Sequence, residues 1–153
     1  MSTEPKNKKR VLASGVFDLL HLGHVKFLEE AKKTGGENAE LVVIIARDNT
    51  VEKMKGAKPV MPENQRRALV EALKVVDEAV LGFEQFDIGQ VIEKIKPDVI
   101  ALGYDQTGME EQVKKYVEKH KLKIKVARIN KFEQDELDSS SKIRKKIVEK
   151  FAR

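Results

Sequence analysis

The sequence predicts an α/β fold: a single-domain, Rossmann-like, five-stranded parallel sheet, strand order 3-2-1-4-5, with helices on both faces. Three observations predict it. Short apolar runs alternate five times with segments of helical periodicity, the pattern of parallel strands joined by right-handed crossovers. One run, ELVVIIAR from Glu40 to Arg47, is apolar and β-branched throughout, as a strand covered on both faces must be. No repeat, low-complexity tract or Pro/Gly/Ser-rich linker divides the chain.

Met1 to Lys9 reads as a loose basic tail, leaving one domain over residues 10–153. Arg10 to Gly15 is a short strand ending in glycine. His24 to Lys33 is a helix with Val25, Leu28 and Ala31 on one face, stopped by Gly35 and Gly36. The Glu40 run is the second strand. Pro62 opens a helix whose predicted inward stripe is Leu69, Ala72, Leu73 and Val76. Glu78 to Gly82 is the third strand. Asp87 caps a helix burying Ile88, Val91, Ile92 and Ile95, and Pro97 ends it. Asp98 to Gly103 is the fourth strand. Thr107 with Glu110 three residues on reads as a capping box for a helix carrying Met109, Val113, Tyr116 and Val117. Lys121 to Arg128 alternates lysine with apolar residues, as an edge strand blunted by charge does. Ser139 to Phe151 is the last helix.

Composition narrows the function classes. The 153 residues are 41% hydrophobic and 36% charged, too apolar for disorder. No apolar run approaches the roughly 18 to 20 residues of a membrane helix, and the N-terminus lacks a signal peptide's apolar core. A cytoplasmic location is expected, with no membrane partner. With no cysteine, disulfides, thiolate metal sites and cysteine nucleophiles are excluded. Thirty basic residues against 25 acidic ones give +5 and a pI near 9.3, compatible with anionic ligands and with a solvated lysine-rich surface. Two tyrosines and six phenylalanines lie in core-like stripes, and no nucleic-acid-binding pattern accompanies them.

In an open parallel sheet, ligands bind beyond the C-terminal strand ends, where the strand order reverses. Two segments belong there: Gly15-Val16-Phe17-Asp18-Leu19-Leu20-His21-Leu22-Gly23-His24 after the first strand, and Gly103-Tyr104-Asp105-Gln106 after the fourth. The HLGH run admits three readings. Its histidines can be structural; Asp18, His21 and His24 can be metal ligands; or Gly23, a helix N-terminus and two imidazoles can bind phosphate. Anion binding fits the glycine and the helix start best. Neither a Walker A loop nor GxGxxG is present.

This segment resembles the signature of the HxGH nucleotidyltransferases, the cytidylyltransferase-like superfamily. Further matches follow in order: Ala46-Arg47-Asp48, Lys53 and Lys55 with Gly56, PENQRR from Pro62 to Arg67, Val76-Asp77-Glu78, Gly103-Tyr104-Asp105-Gln106, and Ser139-Ser140-Ser141-Lys142-Ile143. KMKGAKP, PENQRR and GYDQ are most similar to the archaeal-type FAD synthetases. Glycerol-3-phosphate cytidylyltransferases and heptose-type sugar-phosphate adenylyltransferases share much of the pattern and remain alternatives. Two departures stand out: Val16 replaces a common threonine, and Ile129 to Ser139 is longer than in the cytidylyltransferases.

The resemblance implies transfer of AMP from ATP to the phosphate of FMN, giving FAD and pyrophosphate. The acceptor phosphate is already anionic, so alignment and charge neutralisation replace a general base. His21 and His24 are the implied catalytic donors, with Lys53 or Lys55 reaching the acceptor phosphate. Val16, Phe17, Leu22, Gly23, Arg66, Asp105, Arg128, Ser139 and Ser140 complete the implied nucleotide site. A divalent metal, magnesium, is expected on the triphosphate. The oligomeric state stays open, a homodimer included. Phe83, Phe86 and Phe132 are candidates to line a flavin ring, with core packing as the competing role.

Overall fold

The computed structural model describes residues 8–85, 87–132 and 139–152. The elements are β1 (Arg10–Gly15), α1 (Leu22–Lys33), β2 (Glu40–Ile45), α2 (Asp48–Lys55), α3 (Glu63–Glu71), β3 (Glu78–Leu81), α4 (Ile88–Ile95), β4 (Val99–Gly103), α5 (Thr107–Lys119), β5 (Lys125–Ile129) and α6 (Ser140–Phe151). The five strands form one parallel sheet in the order β3-β2-β1-β4-β5. Among the described residues, no helix is long and apolar enough to cross a membrane.

Period-2 alternation explains the three layers. Val11 and Ala13 of β1, with Leu41, Val43 and Ile45 of β2, face the core shared with Leu28 and Ala31 of α1 and Val70 of α3. Leu12 and Val42 point the other way, onto Val91 and Ile95 of α4 and Val113 of α5. β1 is central, paired from Arg10↔Glu40 to Gly15↔Ile45 with β2 and from Val11↔Val99 to Ala13↔Ala101 with β4. The crevice at the switch point therefore opens between β1 and β4, as the sequence order required.

The bottom of the sheet is closed by two aspartates. Asp98 accepts from the Arg10 backbone at 2.9 Å. Asp77 accepts from the Leu41 backbone at 2.7 Å and from Lys32 Nζ at 3.1 Å. These hydrogen bonds hold the Asp77 carboxyl below the usual carboxylate range against the opposing effect of desolvation.

Four sequence expectations need correction. The helix α2 was not predicted, because eight mostly polar residues burying only Val51 carry no apolar period. In α3 the inward residues are Arg66 and Val70 and Leu69 is 41% exposed; Ala72, Leu73 and Val76 lie beyond the helix, although Leu73 and Val76 pack into the core as expected. Thr107 and Glu110 form no capping box: Gln106 is the N-cap, and Glu110 turns inward to Arg128 and Lys114. The fifth strand begins at Lys125, four residues later than its lysine alternation indicates. The N-terminal tail expected to Lys9 lies, over residues 1–7, outside the described residues.

Candidate active site

The loop leaving β1 is under backbone strain. Phe17 and Leu19 both adopt left-handed conformations, at φ 55° and 52°, which side chains with a Cβ rarely take. Gly15 makes this possible, since a Cβ there would come within 2.8 Å of the Phe17 ring. Phe17 is buried and its ring meets that of His24 at 5.4 Å between centroids.

Two buried charges hold the strained loop. Asp18 accepts from the backbones of Val60 and Met61 at 2.8 and 2.9 Å, fixing the approach to α3. Arg66, 0% exposed, donates from Nη1 to the carbonyls of Val16 and Ala46 at 2.7 and 2.8 Å. Its Nε donates to the Met61 carbonyl at 2.9 Å and its Nη2 to Asp48 at 2.6 Å. The expectation that Arg66 contacts the triphosphate is thus corrected. Its donors face inward onto three carbonyls and a carboxylate, so it is a positioning residue that shapes the loop from beneath.

The loop feeds directly into α1, which starts at Leu22 rather than at His24 as periodicity indicated. His21 is the N-cap and His24 occupies the third helical position, so both histidines sit on the opening turn. Here the backbone N–H groups of Leu22 and Gly23 have no carbonyl four residues back to receive them. They point outward with the positive end of the helix dipole.

The imidazoles of His21 and His24 stack at 3.8 Å between centroids. His24 Nδ1 accepts from the His21 backbone N–H at 3.3 Å, which leaves the proton of a neutral ring on Nε2. Burial, and then His21 beside it, push the His24 pKa down from 6.5 to about 3, with Asp18 opposing. His24 is therefore a neutral Nε2–H donor at physiological pH.

The N-terminus of α6 closes against the same loop. The Ser140 hydroxyl donates to the Asp18 carbonyl, and Ser139 caps the helix by accepting from the Lys142 backbone at 3.1 Å. Arg144 approaches Asp18 at 3.8 Å. Val16, Phe17, His21, Leu22, Gly23, His24, Ser139 and Ser140 are thus gathered at one end of β1.

The other expected residues lie around this centre. Asp105 is exposed in the turn after β4, the strand beside β1. Lys53 and Lys55 are exposed in the last turn of α2, which ends at a left-handed Gly56. Arg128, on edge strand β5, is engaged by Glu110 through two nitrogens. That pairing is the main reason the Glu110 carboxyl sits below its ordinary range. Phe83 lines a cavity between the sheet and α4; Phe132 is half-buried; Phe86 lies outside the described residues.

Sequence reasoning missed the clamping roles of Asp18 and Asp48. Both stand inside recognised motifs, yet their partners lie 42 and 18 residues away. Among the described residues, no group of three or more histidine, aspartate or glutamate side chains forms a metal site.

Known proteins are similar to this chain over most of its length. A FAD synthase of Ferroglobus placidus is 56% identical over 92% of this chain and 88% of its own. One from Methanopyrus kandleri is 49% identical over 95% of both chains. The crystal structure of a lipopolysaccharide core biosynthesis protein from Thermoplasma volcanium, 46% identical, superposes with a TM-score of 0.73 over 82% of this chain and 98% of that one. The family model described as cytidylyltransferase-like matches residues 12–146, which take in the β1 loop, the buried Arg66 and the start of α6, and the chain belongs to that family.

Proposed function

We propose that this chain is an FMN adenylyltransferase, transferring AMP from ATP to FMN to give FAD and pyrophosphate. The observation that carries this reading is the identity of about half of all residues with FAD synthases, sustained over nearly the whole length of both partners.

The chemistry follows from charge. An oxygen of the FMN phosphate attacks the α-phosphorus of ATP; a new O–P bond forms, the bond to the β-phosphate oxygen breaks, and pyrophosphate leaves with its electron pair. The attacking monoester is ionised at neutral pH, so no side chain has to remove a proton. The site must align two polyanions and neutralise charge that builds on the leaving group. His24 Nε2–H and His21 supply imidazole donors, the Leu22 and Gly23 N–H groups and the α1 dipole add fixed positive potential, and Val16 and Phe17 shape the approach. Ser139 and Ser140 take the terminal phosphates at the start of α6, Asp105 meets the nucleoside, and Lys53 or Lys55 meets the acceptor phosphate. Arg128 contributes only as far as its pairing to Glu110 leaves it a donor.

A divalent metal fits as a companion of the triphosphate. Asp18, the carboxylate of the β1 loop, is committed to two backbone N–H groups. A divalent metal, with magnesium the expected ion, would take its oxygen ligands from the phosphates and water and would neutralise charge on the triphosphate.

Pyrophosphate release in a panel of ATP and CTP against FMN, glycerol 3-phosphate and heptose 1-phosphate tests the assignment. ATP with FMN should give the highest rate. Faster turnover of a sugar or glycerol phosphate would move the chain to another branch of its family.

A further inference from the structure

The four residues that end β4 and follow it close on themselves. β1 pairs with β4 only as far as Ala101, whereas β5 follows it to Gly103, so the strand outruns its central neighbour before it turns. The Gln106 backbone N–H donates to the Gly103 carbonyl at 3.1 Å, which makes Gly103 to Gln106 a β-turn. The Gln106 side chain returns along the same path: its Oε1 accepts from the Gly103 N–H at 2.8 Å. One residue thus satisfies both backbone polar groups of the last strand residue. Gln106 is also the N-cap of α5, and its carbonyl accepts from the Glu110 N–H at 2.9 Å. Strand end, turn and helix start are fastened through this one glutamine.

Gly103 is its counterpart. A Cβ there would come within 3.0 Å of Asp105 Oδ1 and 3.5 Å of Gln106 Oε1. The missing side chain lets the Asp105 carboxylate and the Gln106 amide close over the strand end together. Tyr104 and Asp105, the central residues of the turn, are exposed, while Gln106 is half-buried. The oxygen that locks the turn belongs to an amide, so it brings no second negative charge beside Asp105. An apolar side chain of the same length would leave the turn with its single backbone bond.

We infer that Gln106 is a positioning residue for nucleotide binding: its side chain fixes the turn so that the Asp105 carboxylate is in place before ATP arrives. The inference rests on the FMN adenylyltransferase reading, in which Asp105 meets the nucleoside, and adds what presents it. Gln106 acts through Asp105 and needs no contact of its own with the nucleotide. A carboxylate already held costs less ordering on binding than one on a loose turn. The effect therefore falls on ATP affinity and spares the acceptor and the chemical step, which belong to the β1 loop and the α2 lysines.

A double-mutant cycle tests this, read as KM for ATP, KM for FMN and kcat. Calorimetric titration with α,β-methylene-ATP measures binding without turnover. Gln106→Met keeps the length and loses the acceptor. It should weaken ATP by roughly 3- to 10-fold in KM and in titration, with KM for FMN and kcat within about twofold. Asp105→Ala should weaken ATP by roughly 10-fold or more. Adding Gln106→Met to it should change nothing beyond about twofold, since residues that act through one another are not additive. Gly103→Ala, which pushes a Cβ against the Asp105 carboxylate, is a second disturbance with the same expected pattern as Gln106→Met. Unchanged ATP affinity in Gln106→Met or Gly103→Ala, or losses that add in the double variant, overturn the positioning role. An equal rise in KM for FMN overturns it as well, because a general loosening moves both substrates. Unchanged affinity in Asp105→Ala overturns the nucleoside role of Asp105 and this inference together, with FAD synthesis standing. No FAD synthesis by the wild type overturns the activity, and the titration still decides the turn.

Discussion

The two ends of the sheet are built from the same materials and used differently. At the N-terminal end, Asp77 and Asp98 each receive donors from strand starts, and the residues at positive φ there, Asn38, Lys96 and Lys121, sit exposed in turns that no buried charge holds. At the C-terminal end, Asp18 and Arg66 are also fully engaged, but what they hold is a loop with two side-chain-bearing residues at positive φ. The bottom clamps stabilise strand alignment. The top clamps use comparable bonds to hold a conformation the loop would not adopt alone, and so keep the Leu22 and Gly23 N–H groups and the two stacked imidazoles together on the opening turn of α1. The lesson is that a buried ion pair in an active-site region can act entirely on geometry, without touching the reacting atoms.

Four measurements sharpen or break that contrast, beginning with the largest effect. Arg66→Ala leaves Asp48 without its closest cation and three buried carbonyls without a donor. A loss of about 3–5 kcal/mol in stability is expected by denaturant titration. Arg66→Lys should recover part of the stability but less of kcat, because an ammonium cannot span both the Val16 and Met61 carbonyls in a fixed fork. A stable, fully active Arg66→Ala protein would remove the role assigned to the top clamp.

Next, His21→Ala and His24→Ala should each lower kcat by about 10²–10³, the usual worth of a donor to a charged transition state. Their circular dichroism should stay that of the wild type. Variants that lose secondary structure yet turn over normally per folded molecule would make the histidines part of the scaffold.

At the opposite end, Asp77→Ala removes the acceptor for the Leu41 N–H and for Lys32. It should cost about 1–3 kcal/mol of stability while kcat is unchanged. A fall in kcat there would show that the two ends are coupled.

The smallest effect is a pH slope. The folded-state pKa of His24 is depressed to about 3 from 6.5, so between those values the unfolded chain binds the extra proton. Stability from this group is complete above about pH 6.5 and declines as pH falls toward 3. His24→Asn should flatten the wild-type dependence of the denaturation midpoint between pH 7 and 5. An identical slope in the two proteins would show that His24 is not held neutral.

Legibility in the sequence followed the range of the interactions. β1 reads at its observed limits and β2 and β4 within two residues, because burial on both faces leaves a continuous apolar signature. The Asp87 cap reads correctly for the same local reason: its carboxylate accepts from Gln90 three residues on. The α3 face reads wrongly because its inward residue is an arginine, and apolar periodicity has no symbol for a charge buried among carbonyls.

By itself, then, the sequence determined the alternation of strands and helices, the placement of glycines and histidines at a helix start, and the family pattern those residues spell. These depend on residues within a turn or two of one another. Only the tertiary structure decided that Arg66 serves the loop from below, that Asp18 fixes the approach to α3, that His24 is neutral, and that a cavity beside Phe83 survives in the core. Each of these depends on dielectric, packing or hydrogen-bond partners supplied by segments far away in the chain, and those exist only once the sheet has brought β1, β2 and β4 side by side.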